Sequence, residues 1–229
     1  MRGDRKGSST HQPYPLVAGM GPSEAKEELR RAIRAHRDER SSRLRAEAAV
    51  AVADVLDTMP AVREARTVAT YASRPAEPGT GELLNRLSAR GVRVLLPVLG
   101  AGLARDWAEY AGPDDLLERA PGRPPEPSGP TLGADAIAQA DVVVAPALAV
   151  DGRGVRLGQG GGWYDRLLTK VRPGVPVVAI VFPEEVYDGD EHPLPSEEHD
   201  VPVDAVVTPE GWRPLPAPAG DPVRASASL

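Results

Sequence analysis

Short apolar runs rich in valine recur along the chain, and they constrain its fold more than any other feature: "RTVATY", "VRVLLPVL", "DVVVAPALAV", "VPVVAIVF" and "VDAVVT". Each is bounded by turn residues and separated from the next by a longer segment. Apolar runs of this length without polar alternation read as strands buried on both faces. The intervening segments predict helices: a charged run from Ser23 to about Thr58 with Ser23 as N-cap, then Thr80 to Arg90, a weaker Ala134 to Ala140, and Trp163 to Val171. Strands that alternate with helices define an α/β domain, a three-layer α/β/α arrangement around a mostly parallel central sheet.

With 229 residues, one such domain is the default. Residues 23–212 carry the pattern. Residues 1–22 are polar, rich in Gly, Pro and Ser and aperiodic, which reads as a disordered extension, with Met20 a candidate natural start. Residues 213–229, "RPLPAPAGDPVRASASL", read as a flexible tail, and the internal "APGRPPEPSGPT" reads as a surface loop. The net charge of -6, with no strongly basic window, argues against a nucleic-acid binder. The chain has no cysteine, which removes disulfides, thiolate nucleophiles and Cys-based zinc sites and points to a cytoplasmic setting. It also lacks a run of roughly 20 apolar residues, so no membrane partner is expected.

The stretch "GRGVRLGQGGGWYDR" places Gly158, Gly160, Gly161 and Gly162 between Arg156 and the group Trp163, Tyr164 and Asp165. It is not a dinucleotide fingerprint, whose third glycine would fall on Trp163, nor a P-loop, which needs Gly-Lys followed by Ser or Thr. The same physics can still operate. Glycines let successive N–H groups face an anion, a helix starting near Gly162 adds its positive end, and Arg156 supplies a fork suited to phosphate oxygens. A flexible loop ahead of an ordinary helix is the plain alternative.

"RLGQGGGWYDR" is similar to the signature R-L-G-x-G-x-G-[YFW]-Y-D of the 5-formyltetrahydrofolate cyclo-ligase, or methenyltetrahydrofolate synthetase, family. "KEELR", "YASRPAE", "LLP", "APALAVDGRG" and "EEHDVPVDAVVT" occur in the matching order, so the resemblance spans about Ala25 to Trp212. It implies a fold similar to the NagB/RpiA/CoA-transferase-like fold and a monomeric enzyme whose cofactors are ATP and Mg2+. The implied reaction closes 5-formyltetrahydrofolate into 5,10-methenyltetrahydrofolate. The formyl oxygen attacks the γ-phosphoryl group, N10 attacks the activated carbon, and ADP and phosphate leave. The protein's part is to position groups and neutralise charge.

Carried over by position, Lys26 and Arg30 contact the ATP phosphates, and Arg156, Gly158, Gly160, Gly161 and Gly162 cradle them, with Lys26 and Arg156 as the catalytic cations. Trp163 and Tyr164 adjoin both ligands. Ala72, Glu77 and Trp107 line the substrate site, where a carboxylate at Glu77 suits the amino and ring N–H donors of a pterin. Asp165 and Asp200 are the magnesium ligands, two carboxylates being enough beside phosphates and water. His199 reads as a surface residue, because no second His or Cys accompanies it. Some family members carry lysine at the position of Gly161, so one side-chain cation is missing here. Each residue also has a structural alternative: a solvated pair with Glu27 and Glu28 for Lys26 and Arg30, a loop charge for Glu77, helix-start stabilisation for Asp165, a turn for Asp200, and core packing for the aromatics. Two other functions compete, a non-catalytic folate- or nucleotide-binding relative and a sugar-phosphate isomerase on a related fold.

Overall fold

The computed structural model describes residues 19–99, 104–120 and 122–216. The expected N-terminal extension therefore lies almost wholly outside the described residues, as does the tail beyond 216.

The charged run from Ser23 to about Thr58 forms two helices where the sequence predicted one, α1 (Pro22–Glu39) and α2 (Ser42–Thr58), and a short α3 (Pro60–Glu64) follows it. Arg40 and Ser41 are extended, and Ser41 caps α2 by accepting the N–H of Leu44. Pro60 occupies the first turn of α3, which forces Met59 out of the helical region. Ser23 is not the N-cap of α1. Gly21 holds that place with Pro22 at the first helical position, where the missing N–H costs nothing.

The central sheet gathers β1 (Thr67–Ala69), β2 (Arg93–Leu99), β3 (Arg105–Glu109), β4 (Val142–Pro146), β7 (Val177–Ile180), β9 (Ala205–Thr208) and β10 (Gly211–Pro214) in the order β10-β9-β7-β4-β1-β2-β3. The run from β9 to β2 is parallel, and both edge strands are antiparallel. Its faces follow the period of two along each strand. Val68, Val142, Val144, Val178 and Ile180 pack under α2 and α4 (Gly81–Ala89), whereas Ala69, Val143, Ala145, Val177 and Ala179 pack against the 3-10 turn Ala134–Gln139 and α5 (Trp163–Leu168). Helical segments on both faces give the expected three layers.

"DVVVAPALAV" is two strands. β4 ends at Pro146, and β5 (Ala149–Asp151) turns away to form a second sheet with β6 (Arg156–Leu157) and β8 (Val186–Tyr187), in the order β6-β5-β8. Leu29 and Ile33 of α1 pack on this small sheet with Leu148, Leu157 and Tyr187. Beside them Arg37 meets Glu185 through two bonds of 2.7 Å and donates to the carbonyl of Ala147 at 2.8 Å. Both side chains are buried. Glu185 also accepts the N–H of Phe182, so each oxygen of this desolvated carboxylate has a donor. Desolvation raises the pKa of the Glu185 carboxyl from its ordinary value, and the Arg37 guanidinium opposes the shift. α5 stops at Leu168, short of the expected Val171. β10 continues to Pro214 and Leu215 is buried, so ordered structure runs past residue 212.

Candidate functional site

The strand order fixes where a ligand can sit. From β1 the chain first moves to β2 on one side and later to β4 on the other, so β1 and β4 flank the switch point of the sheet, where a crevice opens beyond the carboxyl ends of the strands. A cleft of about 370 Å³ lies there. Tyr71 and Ala72 enter it just after β1, Pro97 and Leu99 from β2, and Pro146 from the end of β4, while the glycine stretch closes its side.

Of the predicted residues, the cleft lining brings together Ala72, Glu77, Arg156, Gly158, Gly161, Gly162, Trp163, Tyr164 and Asp165. Arg156 is buried on β6. Its Nη1 donates to the carbonyl of Pro146 at 3.1 Å, its Nη2 donates to Asp165 Oδ1 at 2.5 Å, and its Nε has no hydrogen-bond partner among the described residues. A Cβ at Gly158 would stand 2.9 Å from Arg156 Nη1, so the glycine leaves room for the guanidinium. Gly160 has φ +101°, a conformation that side chains resist. Gly161 faces open space, and a side chain there would meet nothing within 4 Å. A lysine side chain would therefore have room at this position. The six residues of α5 offer a weaker dipole than the longer predicted helix.

Lys26, Arg30, Gly160, Trp107 and Asp200 stand outside that lining. Lys26 is buried, and its ammonium donates to Glu197 Oε2 at 2.7 Å and to Asp200 Oδ2 at 2.5 Å. It is therefore not the solvated partner of Glu27 and Glu28. Arg30 backs the glycine stretch, with Nε donating to the carbonyl of Gly158 at 3.0 Å and Nη1 to Glu27 at 3.2 Å. Asp200 also accepts the N–H of Glu197, a turn contact as well as an ion pair. His199 is exposed, as read from the sequence. Trp107 lies fully buried on β3, its ring centroid 5.4 Å from that of Trp163, which in turn stands 4.9 Å from Tyr164. Trp107 supports the cleft wall through Trp163. Burial raises the Tyr71 and Tyr164 hydroxyls well above the usual tyrosine range, so both stay protonated donors at neutral pH.

Several contributors escaped the motif reading. Arg34, one turn beyond Arg30, donates to the carbonyl of Gln159 at 2.7 Å, and its i+4 spacing from Arg30 was the available signal. Gln159 Nε2 donates to Glu77 Oε1 at 2.8 Å. Arg105 and Glu126 also line the cleft, and Glu126, buried within the proline-rich segment expected to be a surface loop, accepts the N–H of Leu99. No local pattern marks either residue.

Among the described residues no cluster of three or more His, Cys, Asp or Glu could hold a metal alone, and no helix is long and apolar enough to cross a membrane. Magnesium needs less, since it keeps several waters and commonly takes one or two carboxylates plus phosphate oxygens. Asp165 lines the cleft and fits that demand by position, although its Oδ1 accepts from Arg156 at 2.5 Å. Asp200 is engaged by Lys26 in this arrangement.

A mostly parallel sheet with a glycine-lined, arginine-backed cleft at its switch point defines an α/β protein whose cleft chemistry suits anionic groups. Comparison with known proteins gives the particular family. The sequence model of the 5-formyltetrahydrofolate cyclo-ligase family matches residues 22–209, and the chain belongs to that family. It is 41% identical over 145 residues to the 5-formyltetrahydrofolate cyclo-ligase of Mycolicibacterium smegmatis, covering 61% of this chain and 72% of that one. It is 32% identical over 146 residues to the Escherichia coli protein of the same name, covering 61% and 75%. The NMR structure of Aquifex aeolicus 5,10-methenyltetrahydrofolate synthetase superposes with a TM-score of 0.70 at 27% identity, over 86% of this chain and 95% of that one.

Proposed function

We propose that the chain closes 5-formyltetrahydrofolate to 5,10-methenyltetrahydrofolate at the expense of ATP, releasing ADP and phosphate. The observation that carries this reading is the meeting, in one cleft, of a buried guanidinium beside a glycine cradle and a buried carboxylate at Glu77. In the proposed reaction the formyl oxygen takes the γ-phosphoryl group as the bond to ADP breaks. N10 then attacks the formyl carbon, loses its proton to solvent, and the oxygen departs within phosphate. Arg156 faces the charge that develops on the transferred group, and such preorganised donors act most strongly where water is excluded. Arg30 and Arg34 hold the loop carbonyls of Gly158 and Gln159 on the α1 side, which fixes the loop around the phosphates. Glu77 accepts the amino and ring N–H donors of the pterin, while Trp163 and Tyr164 set the wall against its flat rings.

Mg2+ belongs to the same reading. Bound with the nucleotide, it would supply positive charge against the phosphates. Asp165 would hold it while its Oδ1 shares the Arg156 guanidinium, and Asp200 would join only on leaving Lys26. The alternatives weighed on the sequence are less well supported, since the relatives compared above are named as cyclo-ligases or synthetases rather than isomerases. The reading also includes a monomer working in the cytoplasm, and light scattering at a mass near 24.2 kDa tests the first part.

Incubation of the protein with 5-formyltetrahydrofolate and MgATP tests the activity through absorbance of the methenyl product. Product should form only when both substrates are present, and its absence beside an active control enzyme would refute the assignment.

A further inference from the structure

Gln159 stands between Gly158 and Gly160 and joins the two ends of the cleft. Its backbone carbonyl accepts from Arg34 Nη2 at 2.7 Å, which anchors the residue to α1. Its side-chain amide spans the gap, with Oε1 accepting a long 3.5 Å contact from Arg34 Nη2 and Nε2 donating to Glu77 Oε1 at 2.8 Å. The second oxygen of Glu77 accepts the N–H of Arg74 at 2.9 Å. The carboxylate assigned to the pterin is thus held on both oxygens by the protein itself.

A buried carboxylate requires donors, and Glu77 is 8% exposed. The Gln159 amide therefore satisfies Oε1 in place of a ligand. Each carboxylate oxygen has two lone pairs, so a pterin N–H competes with the amide where it approaches Oε1 from the cleft side that the amide occupies. When it arrives, the Gln159 side chain must find another acceptor, because its amide would otherwise be left unpaired inside the cleft. The backbone does not need to follow, since Arg30 and Arg34 hold the carbonyls of Gly158 and Gln159. Rotation about the side-chain bonds is sufficient, and within the glycine cradle the new acceptor is a phosphate oxygen.

We infer that Gln159 is a positioning residue that couples the two substrates: the pterin displaces its amide from Glu77, and the freed amide becomes a donor to the nucleotide phosphates. Each ligand then strengthens the other by the same factor, because coupling between binding sites is reciprocal. The factor should be roughly tenfold, the scale of one hydrogen bond to a charged acceptor. This inference rests on the proposed folate and nucleotide ligands.

Calorimetric titration of the full chain tests it, using a non-hydrolysable ATP analogue with Mg2+ and 5-formyltetrahydrofolate, each alone and each with the other saturating. In the wild type, each ligand should lower the Kd of its partner roughly tenfold. In Gln159→Met, which removes the donor and keeps the length, the factor should fall to about one. Folate alone should bind that variant as tightly as the wild type or more tightly, since the competing amide is gone. A purely structural role would instead weaken both ligands and leave their coupling intact. Gln159→Asn keeps the amide but falls one methylene short of Glu77, and it should lose the coupling likewise, which provides a second reading if the Met variant does not fold. Coupling that survives in the variants, or is absent from the wild type while both ligands bind, overturns the inference. If neither ligand binds the wild type, the proposed function itself fails, and this inference fails with it.

Discussion

Arg156 and Asp165 face each other across 2.5 Å at the edge of the cleft, and a phosphate group with its cation would find both charges already in place. Arg156→Ala removes the guanidinium and leaves Asp165 without its partner, so turnover should fall about 10²–10³-fold, the loss expected for one preorganised donor to a developing charge. Circular dichroism should show the fold retained, and an unchanged rate would take Arg156 out of the mechanism. Asp165→Asn should raise the Mg2+ concentration for half-maximal rate roughly tenfold or more, the scale on which even indirect partners of a bound metal act. An unaltered Mg2+ requirement would remove Asp165 as a ligand. Both residues were legible in the sequence, because they stand in one short motif with Gly158 and Trp163 between them. The Glu77–Gln159 bond was not, since it spans 82 positions and depends on how the loop after β1 meets the loop after β6. Lys26 and Asp200 were legible as charges but not as each other's partners.

At the scale of elements, the valine-rich runs were readable because a strand buried on both faces leaves a continuous apolar trace. Edge strands leave no such trace. β3, written "RDWAE", and β10, written "GWRP", carry charge on their open sides, and only their pairing with β2 and β9 identifies them. The split at Pro146 was also hidden, since "DVVVAPALAV" is apolar throughout while its two halves serve different sheets. The small sheet is tied to α1 by the Arg37–Glu185 pair. Arg37→Met should lower stability by about 3–5 kcal/mol, because it strands a buried carboxylate. Adding Glu185→Gln should recover part of that loss by removing the stranded charge. Urea unfolding of the two variants measures the difference, and equal midpoints would show that the pair contributes no such coupling.

At the scale of the molecule, the family match and the first helix begin together at residue 22, and Gly21 caps that helix. A chain starting at Met20 should therefore keep the melting temperature and the turnover of the full chain, within about 1 kcal/mol of its stability. Thermal unfolding and the product assay check this, and a marked loss would give the preceding residues a role in the fold or the site. The three layers were visible in the sequence as a pattern, whereas the position of α1, on the small sheet rather than the large one, was not. Its amphipathic face accepts any apolar neighbour, and long-range partners decide which.

Those partners are far away along the chain. Lys26, Arg30, Arg34 and Arg37 bind residues 171, 128, 125 and 148 positions later. During synthesis α1 therefore leaves the ribosome long before the segments that receive it: Arg37 cannot meet Glu185, nor Lys26 meet Glu197, until those residues have been made. Closing contacts of such separation is slow relative to local pairing. The helix that grips the glycine loop is thus among the first pieces made, and it cannot take its place on the loop before residues 158 and 159 exist.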